Sequence, residues 1–139
     1  MKTRALTDTD PAIDIHGICE PTIYAYFTSL NQGEFTRAAE LFVAQGRLEP
    51  ACGDPIEGRA EIAEYLAAAA PGMRFCPTDG QHSIGINNYS EYQLQGQVEI
   101  NWFTVNVSWW IQLTAEQEIV AITVKLLTSP DDLLSFSRV

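Results

Sequence analysis

The stretch Glu91-Tyr-Gln-Leu-Gln-Gly-Gln-Val-Glu-Ile-Asn-Trp-Phe-Thr-Val-Asn-Val-Ser-Trp-Trp-Ile-Gln-Leu113 decides the fold. Tyr92, Leu94, Gly96, Val98, Ile100 and Trp102 alternate with Glu91, Gln93, Gln95, Gln97 and Glu99. Val105, Val107, Trp109, Ile111 and Leu113 continue the alternation on the next strand. Successive side chains of a strand point to opposite faces, so these are half-buried strands with one apolar and one polar face. The adjacent Trp109 and Trp110 must then face opposite ways, Trp109 inward and Trp110 outward among Asn106, Ser108 and Gln112. An exposed tryptophan in that setting is an apolar patch of the kind that marks a protein contact.

Working outward, Thr114 to Glu118 reads as a turn and Ile119 to Leu127 as a mostly apolar strand. Ser129-Pro130-Asp131 then caps a short final helix carrying Leu133, Leu134 and Phe136. Toward the N-terminus the period changes to helical. Arg59 to Ala70, rich in alanine, is a helix ended by Pro71-Gly72. A loop with Pro50, Gly53, Asp54, Pro55 and Gly58 precedes it. Glu34 to Ala44 reads as a helix burying Phe35, Ala38, Ala39, Leu41 and Phe42, with Gly46 closing it. Pro21 opens another, in the first turn where its missing N–H is not needed. Ile23, Tyr26, Phe27 and Leu30 make its apolar face, and Asn31-Gln32-Gly33 stops it. Residues 1–18 are expected to be a polar, flexible arm and 19–139 a single domain. Three helices followed by an antiparallel meander give an α+β fold: helices on one face of a curved antiparallel sheet, a cone whose apolar mouth is a natural small-molecule site.

At 139 residues, 46% of them hydrophobic and 19% charged, the chain is one globular domain. Eighteen acidic against eight basic residues give a net charge of −10, which repels a phosphate backbone and excludes nucleic acid as a partner. Cys19, Cys52 and Cys76 are odd in number and without C-x-x-C spacing; with only His16 and His82 to join them they make no metal site. They suit a reducing compartment, each as a small buried hydrophobe. No run approaches the ~20 apolar residues that span a bilayer, and the N-terminus lacks the apolar core of a signal peptide, which places the chain in the cytoplasm.

An enzyme built on such a cone needs an inward acid, base or nucleophile. The inward set between Glu91 and Leu113 has none: Glu91 and Glu99 fall on the outer face, and His82 is expected to be exposed. Asp54 and Glu57 lie in the long loop without a partner base. The lining instead offers large aromatics with polar tips, Tyr26, Trp102 and Trp109, whose O–H and N–H groups need partners when buried. Such donors in an apolar cavity suit a long apolar ligand ending in a carbonyl.

Glu20-Pro21-Thr22-Ile23 with Tyr26 and Leu30-Asn31, the Pro55-Ile56-Glu57-Gly58-Arg59 loop and Met73-Arg74-Phe75-Cys76-Pro77 lie along one register with Gly96-Gln97-Val98, Trp102-Phe103, Asn106-Val107-Ser108-Trp109 and Leu126-Leu127-Thr128-Ser129-Pro130-Asp131-Asp132-Leu133-Leu134. As a set, over residues 18–138, they resemble stand-alone homologues of the C-terminal domain of the orange carotenoid protein, in the nuclear transport factor 2-like superfamily. The resemblance implies a nuclear transport factor 2-like cone that takes a keto-carotenoid of the canthaxanthin, echinenone or hydroxyechinenone type. It implies Tyr26 and Trp109 as hydrogen-bond donors to the ring carbonyl, and Leu30, Phe75, Ile100, Trp102 and Val124 along the tunnel. Its further implications are carriage and transfer of the pigment in photoprotection and singlet-oxygen quenching, in a cyanobacterial setting. The implied partners are a second copy in a homodimer, a carotenoid-accepting helical-domain homologue of the orange carotenoid protein, and a membrane contacted for pigment uptake. The sequence departs from the family pattern after Trp102-Phe103, where a glycine-rich segment is shortened to Thr104-Val105, and at Lys125 and Ala69, where acids are usual. Two other readings stand beside this one: an isomerase or dehydratase of the same fold, and a protein-interaction module acting through Trp110. An intermolecular disulfide controlling release is a further expectation.

Overall fold

The structure, a computed structural model, describes residues 13–127. The final helix expected from Asp131 and most of the arm lie outside the described residues. Helix α1 (Pro21–Asn31) starts as its sequence dictates: the Glu20 carboxylate accepts from the Thr22 N–H at 3.1 Å and Pro21 fills the first turn. Gly33, at φ +76°, lets the chain leave it in the left-handed region. Helix α2 (Phe35–Glu40) is short, and strand β1 (Phe42–Glu49) follows it directly. Then come β2 (Ile56–Glu57), α3 (Arg59–Ala69), β3 (Met73–Ile84), β4 (Ser90–Ile100), β5 (Phe103–Leu113) and β6 (Ile119–Leu126).

The six strands form one sheet in the order β2-β1-β6-β5-β4-β3. All neighbours are antiparallel except β1 and β6, which run parallel through Leu48↔Ile122 and Glu49↔Thr123, a correction to the expected all-antiparallel sheet. The helix expected over Glu34 to Ala44 is corrected as well, because it ends at Glu40 and residues 42–44 already belong to β1. Phe35, Ala38, Ala39 and Phe42 share a helical spacing, but the chain turns at Leu41. A register shift between Phe42 and Arg47 then breaks the strand's alternation. Gly46 sits in that irregularity because a Cβ there would lie 2.7 Å from Phe42 Cβ.

The helices cover one face of the sheet. Phe27 and Ile23 of α1, Phe42 of β1, Ile62 of α3 and Leu94, Ile111, Ile119 and Ile122 of the sheet are all fully buried. Burial of each contributes roughly 1.5–3 kcal/mol. Strand β3 is an edge, and the chain covers it twice. Asn31, at the end of α1, imitates a strand: its amide donates to the Phe75 carbonyl at 2.9 Å and its oxygen accepts the Phe75 N–H at 2.7 Å. Further along, His16 N–H donates to the Thr78 carbonyl and the Gly80 N–H to the His16 carbonyl, both at 2.9 Å. The arm therefore does not extend to residue 18: Ile15 and Ile18 are core residues, tied down by the Tyr24 hydroxyl, which donates to the Ile18 carbonyl at 2.7 Å. Pairing the edge removes a template for unwanted association.

Candidate functional site

Between α1, α3 and the inner face of the sheet lies a cavity of about 270 Å³. The sheet's register builds its floor. Trp109 stands directly opposite Leu94 on one side and Val124 on the other, and Val98 lies between Phe75 and Val105. Side chains that share a row across three strands share a face. Helix α1 contributes Tyr26 and Leu30, α3 contributes Tyr65, Leu66 and Ala69, and Pro50 to Cys52 lie at the rim. No charged side chain and no histidine lines the cavity among the described residues. Nor do those residues contain a group of three or more His, Cys, Asp or Glu able to hold a metal ion.

Tyr26 and Trp109 are almost completely buried, 3% and 2% exposed. Phe27 stands between them. Its ring meets Tyr26 edge-on at 5.3 Å and Trp109 edge-on at 5.0 Å, while Phe42 meets Tyr26 at 6.0 Å from another side. Such edge-to-face contacts fix ring orientation. The two polar tips have no hydrogen-bond partner among the described residues, although both side chains line the cavity. The two tips therefore open on the cavity, where an oxygen on a ligand would accept from both. Burial pushes the Tyr26 phenol well above its ordinary pKa, and the nearby Tyr65 adds to the shift. Tyr26 is thus a hydrogen-bond donor throughout the neutral range. Burial, followed by Cys52, raises Tyr65 as well.

The structure brings six of the seven expected residues together on the cavity wall: Tyr26, Leu30, Phe75, Ile100, Trp109 and Val124. Trp102 is a correction. It is 88% exposed, in the two-residue turn that joins Ile100 to its partner Phe103, so the alternation has already ended there. Asn101, at φ +54°, makes that turn. Tyr65 and Leu48 line the cavity and were not singled out by sequence. For Tyr65 a signal existed in its helical spacing with Ile62, Leu66 and Ala69. On the outer face Trp110 is 41% exposed, as the alternation requires. Glu99 and His82 are exposed, His82 stacked on Tyr92 at 4.5 Å. Cys19 and Cys52 are exposed and Cys76 half-buried, a correction to the expectation of three buried thiols.

The orange carotenoid-binding protein of Synechocystis sp. is 27% identical over 130 residues, which covers 91% of this chain and 41% of that protein. The structure of the Anabaena (Nostoc) sp. orange carotenoid protein binding canthaxanthin superposes with a TM-score of 0.81 at 27% identity, covering 89% of this chain and 41% of that one. The chain is a homologue of the orange carotenoid protein's C-terminal domain. It spans about two-fifths of the length of the curated relatives it matches. A nuclear transport factor 2-like protein from Cytophaga hutchinsonii shares the fold, with a TM-score of 0.62 at 15% identity, covering 88% of this chain and 99% of that one. No family model matches the chain. Among the described residues no helix is long and apolar enough to cross a membrane.

Proposed function

We propose that the cavity holds an end ring of a keto-carotenoid, with the Tyr26 hydroxyl and the Trp109 indole N–H both donating to the ring carbonyl. The observation that carries this reading is the pair of donors, on buried side chains and unpaired among the described residues, that open on an apolar cavity lined by no charged residue. A carbonyl oxygen has two lone pairs and accepts from both. The polyene is held by burial of apolar area at roughly 25 cal/mol per Å². The relationship to a carotenoid-binding protein, one homologue of which was solved with canthaxanthin, supports the ligand class. An isomerase or dehydratase would need an acid or base on the cavity wall, and the wall among the described residues is apolar.

The cavity volume falls just below the roughly 300–1,000 Å³ of a small-molecule pocket. A long polyene therefore extends past the rim, where a second copy of the chain or a helical acceptor covers it. In this role the protein carries pigment to or from that partner in photoprotection. Protein purified from a canthaxanthin-producing host should show a broad, red-shifted visible band. Tyr26→Phe combined with Trp109→Phe should abolish the red shift. An unchanged spectrum in the double variant would contradict the assigned hydrogen bonds.

A further inference from the structure

One polar group on the cavity wall has no part in holding a single carbonyl: the hydroxyl of Tyr65. Tyr65 is half-buried on α3 and, like Tyr26 and Trp109, has no hydrogen-bond partner among the described residues. It lies close enough to Tyr26 to act on that phenol through space, and its own phenol is raised by burial. Ala69, one helical turn further on, and Ala70 also line the cavity.

Tyr26 and Trp109 together fill both lone pairs of a carbonyl oxygen. A third hydroxyl on a residue of the same cavity wall, open to water when the cavity is empty, offers a partner to a second oxygen on the ligand. A hydroxyl on the ring carbon next to the carbonyl both donates and accepts, as a phenol does, so the two groups are complementary whichever way the proton points. We infer that Tyr65 is a specificity-determining residue, selecting an end ring that carries a hydroxyl beside its carbonyl over one that carries the carbonyl alone. The inference rests on the carotenoid reading above.

The test is a competition. Wild type and Tyr65→Phe are loaded from an equimolar mixture of canthaxanthin, whose rings carry only the ketone, and astaxanthin, whose rings carry a hydroxyl beside it, and the bound pigments are extracted and compared. One neutral hydrogen bond corresponds to a preference of roughly two- to tenfold. Wild type should be enriched in astaxanthin by that factor, and Tyr65→Phe should hold the two in near-equal amounts. Wild type that takes both pigments without preference overturns the inference, whatever the variant does, and so does a preference that persists in Tyr65→Phe. Wild type that takes neither pigment overturns the carotenoid reading, and this inference with it.

Discussion

Tyr26 is held by aromatic contacts while its hydroxyl opens on the cavity, so the ring stabilises the fold and the hydroxyl adds nothing to it among the described residues. Ring contacts with Phe27 and Phe42 stabilise the fold. The hydroxyl, unpaired among the described residues, opens on the cavity and adds no hydrogen bond to the fold. Ligand-free Tyr26→Phe should therefore be at least as stable as wild type near neutral pH, which urea unfolding monitored by circular dichroism would check. The pH dependence follows from the same burial. The folded-state phenol lies above its ordinary value of 10.0, so the folded chain keeps a proton that the unfolded chain releases as the pH rises past that value. The stabilising contribution is complete below about pH 10 and is lost as the pH climbs toward the folded-state value. Wild type should lose stability faster than Tyr26→Phe above about pH 10. Parallel curves for the two proteins would show that the phenol is not buried as described.

At the scale of elements, the edge strand β3 is closed by a side chain in place of a strand. Asn31→Ala should leave the N–H and C=O of Phe75 without their partner, at a cost of about 1–3 kcal/mol in urea unfolding. It should also loosen Phe75 on the cavity wall; a loss within 0.5 kcal/mol, the usual effect of a neutral surface change, would show that the contact is dispensable. What sequence could reveal of these elements depends on regular periodicity. From Glu91 to Ile100 and from Phe103 to Leu113 the alternation is unbroken, and it places Trp109 inward and Trp110 outward correctly. It also ran through the turn at Asn101, because Trp102 kept the parity of a strand that had already ended. Strand β1 was hidden for the opposite reason. Its irregularity at Gly46 destroys the period of two, while Phe42 falls by chance on the helical repeat of Phe35, Ala38 and Ala39. Tyr65 shares a helical spacing with Ile62 and Ala69, but α3 carries alanines on several sides, Ala60, Ala63 and Ala67 to Ala69, which blur that face.

For the molecule as a whole, the sheet, the helices and the paired β3 edge combine into one apolar cavity with its polar tips supplied by Tyr26, Tyr65 and Trp109. Its net charge of −10 sets it against polyanionic partners, and Leu126, which lines the cavity, is 43% exposed. The measurement that tests this most directly is sedimentation velocity of protein purified from a canthaxanthin-producing host, followed at both the visible band and the protein absorbance. The red-shifted band should sediment with the protein boundary, at twice the mass of the chain. A coloured boundary at the mass of one chain would remove the second copy as the cover. A colourless protein boundary would contradict the central claim that the cavity is a carotenoid site.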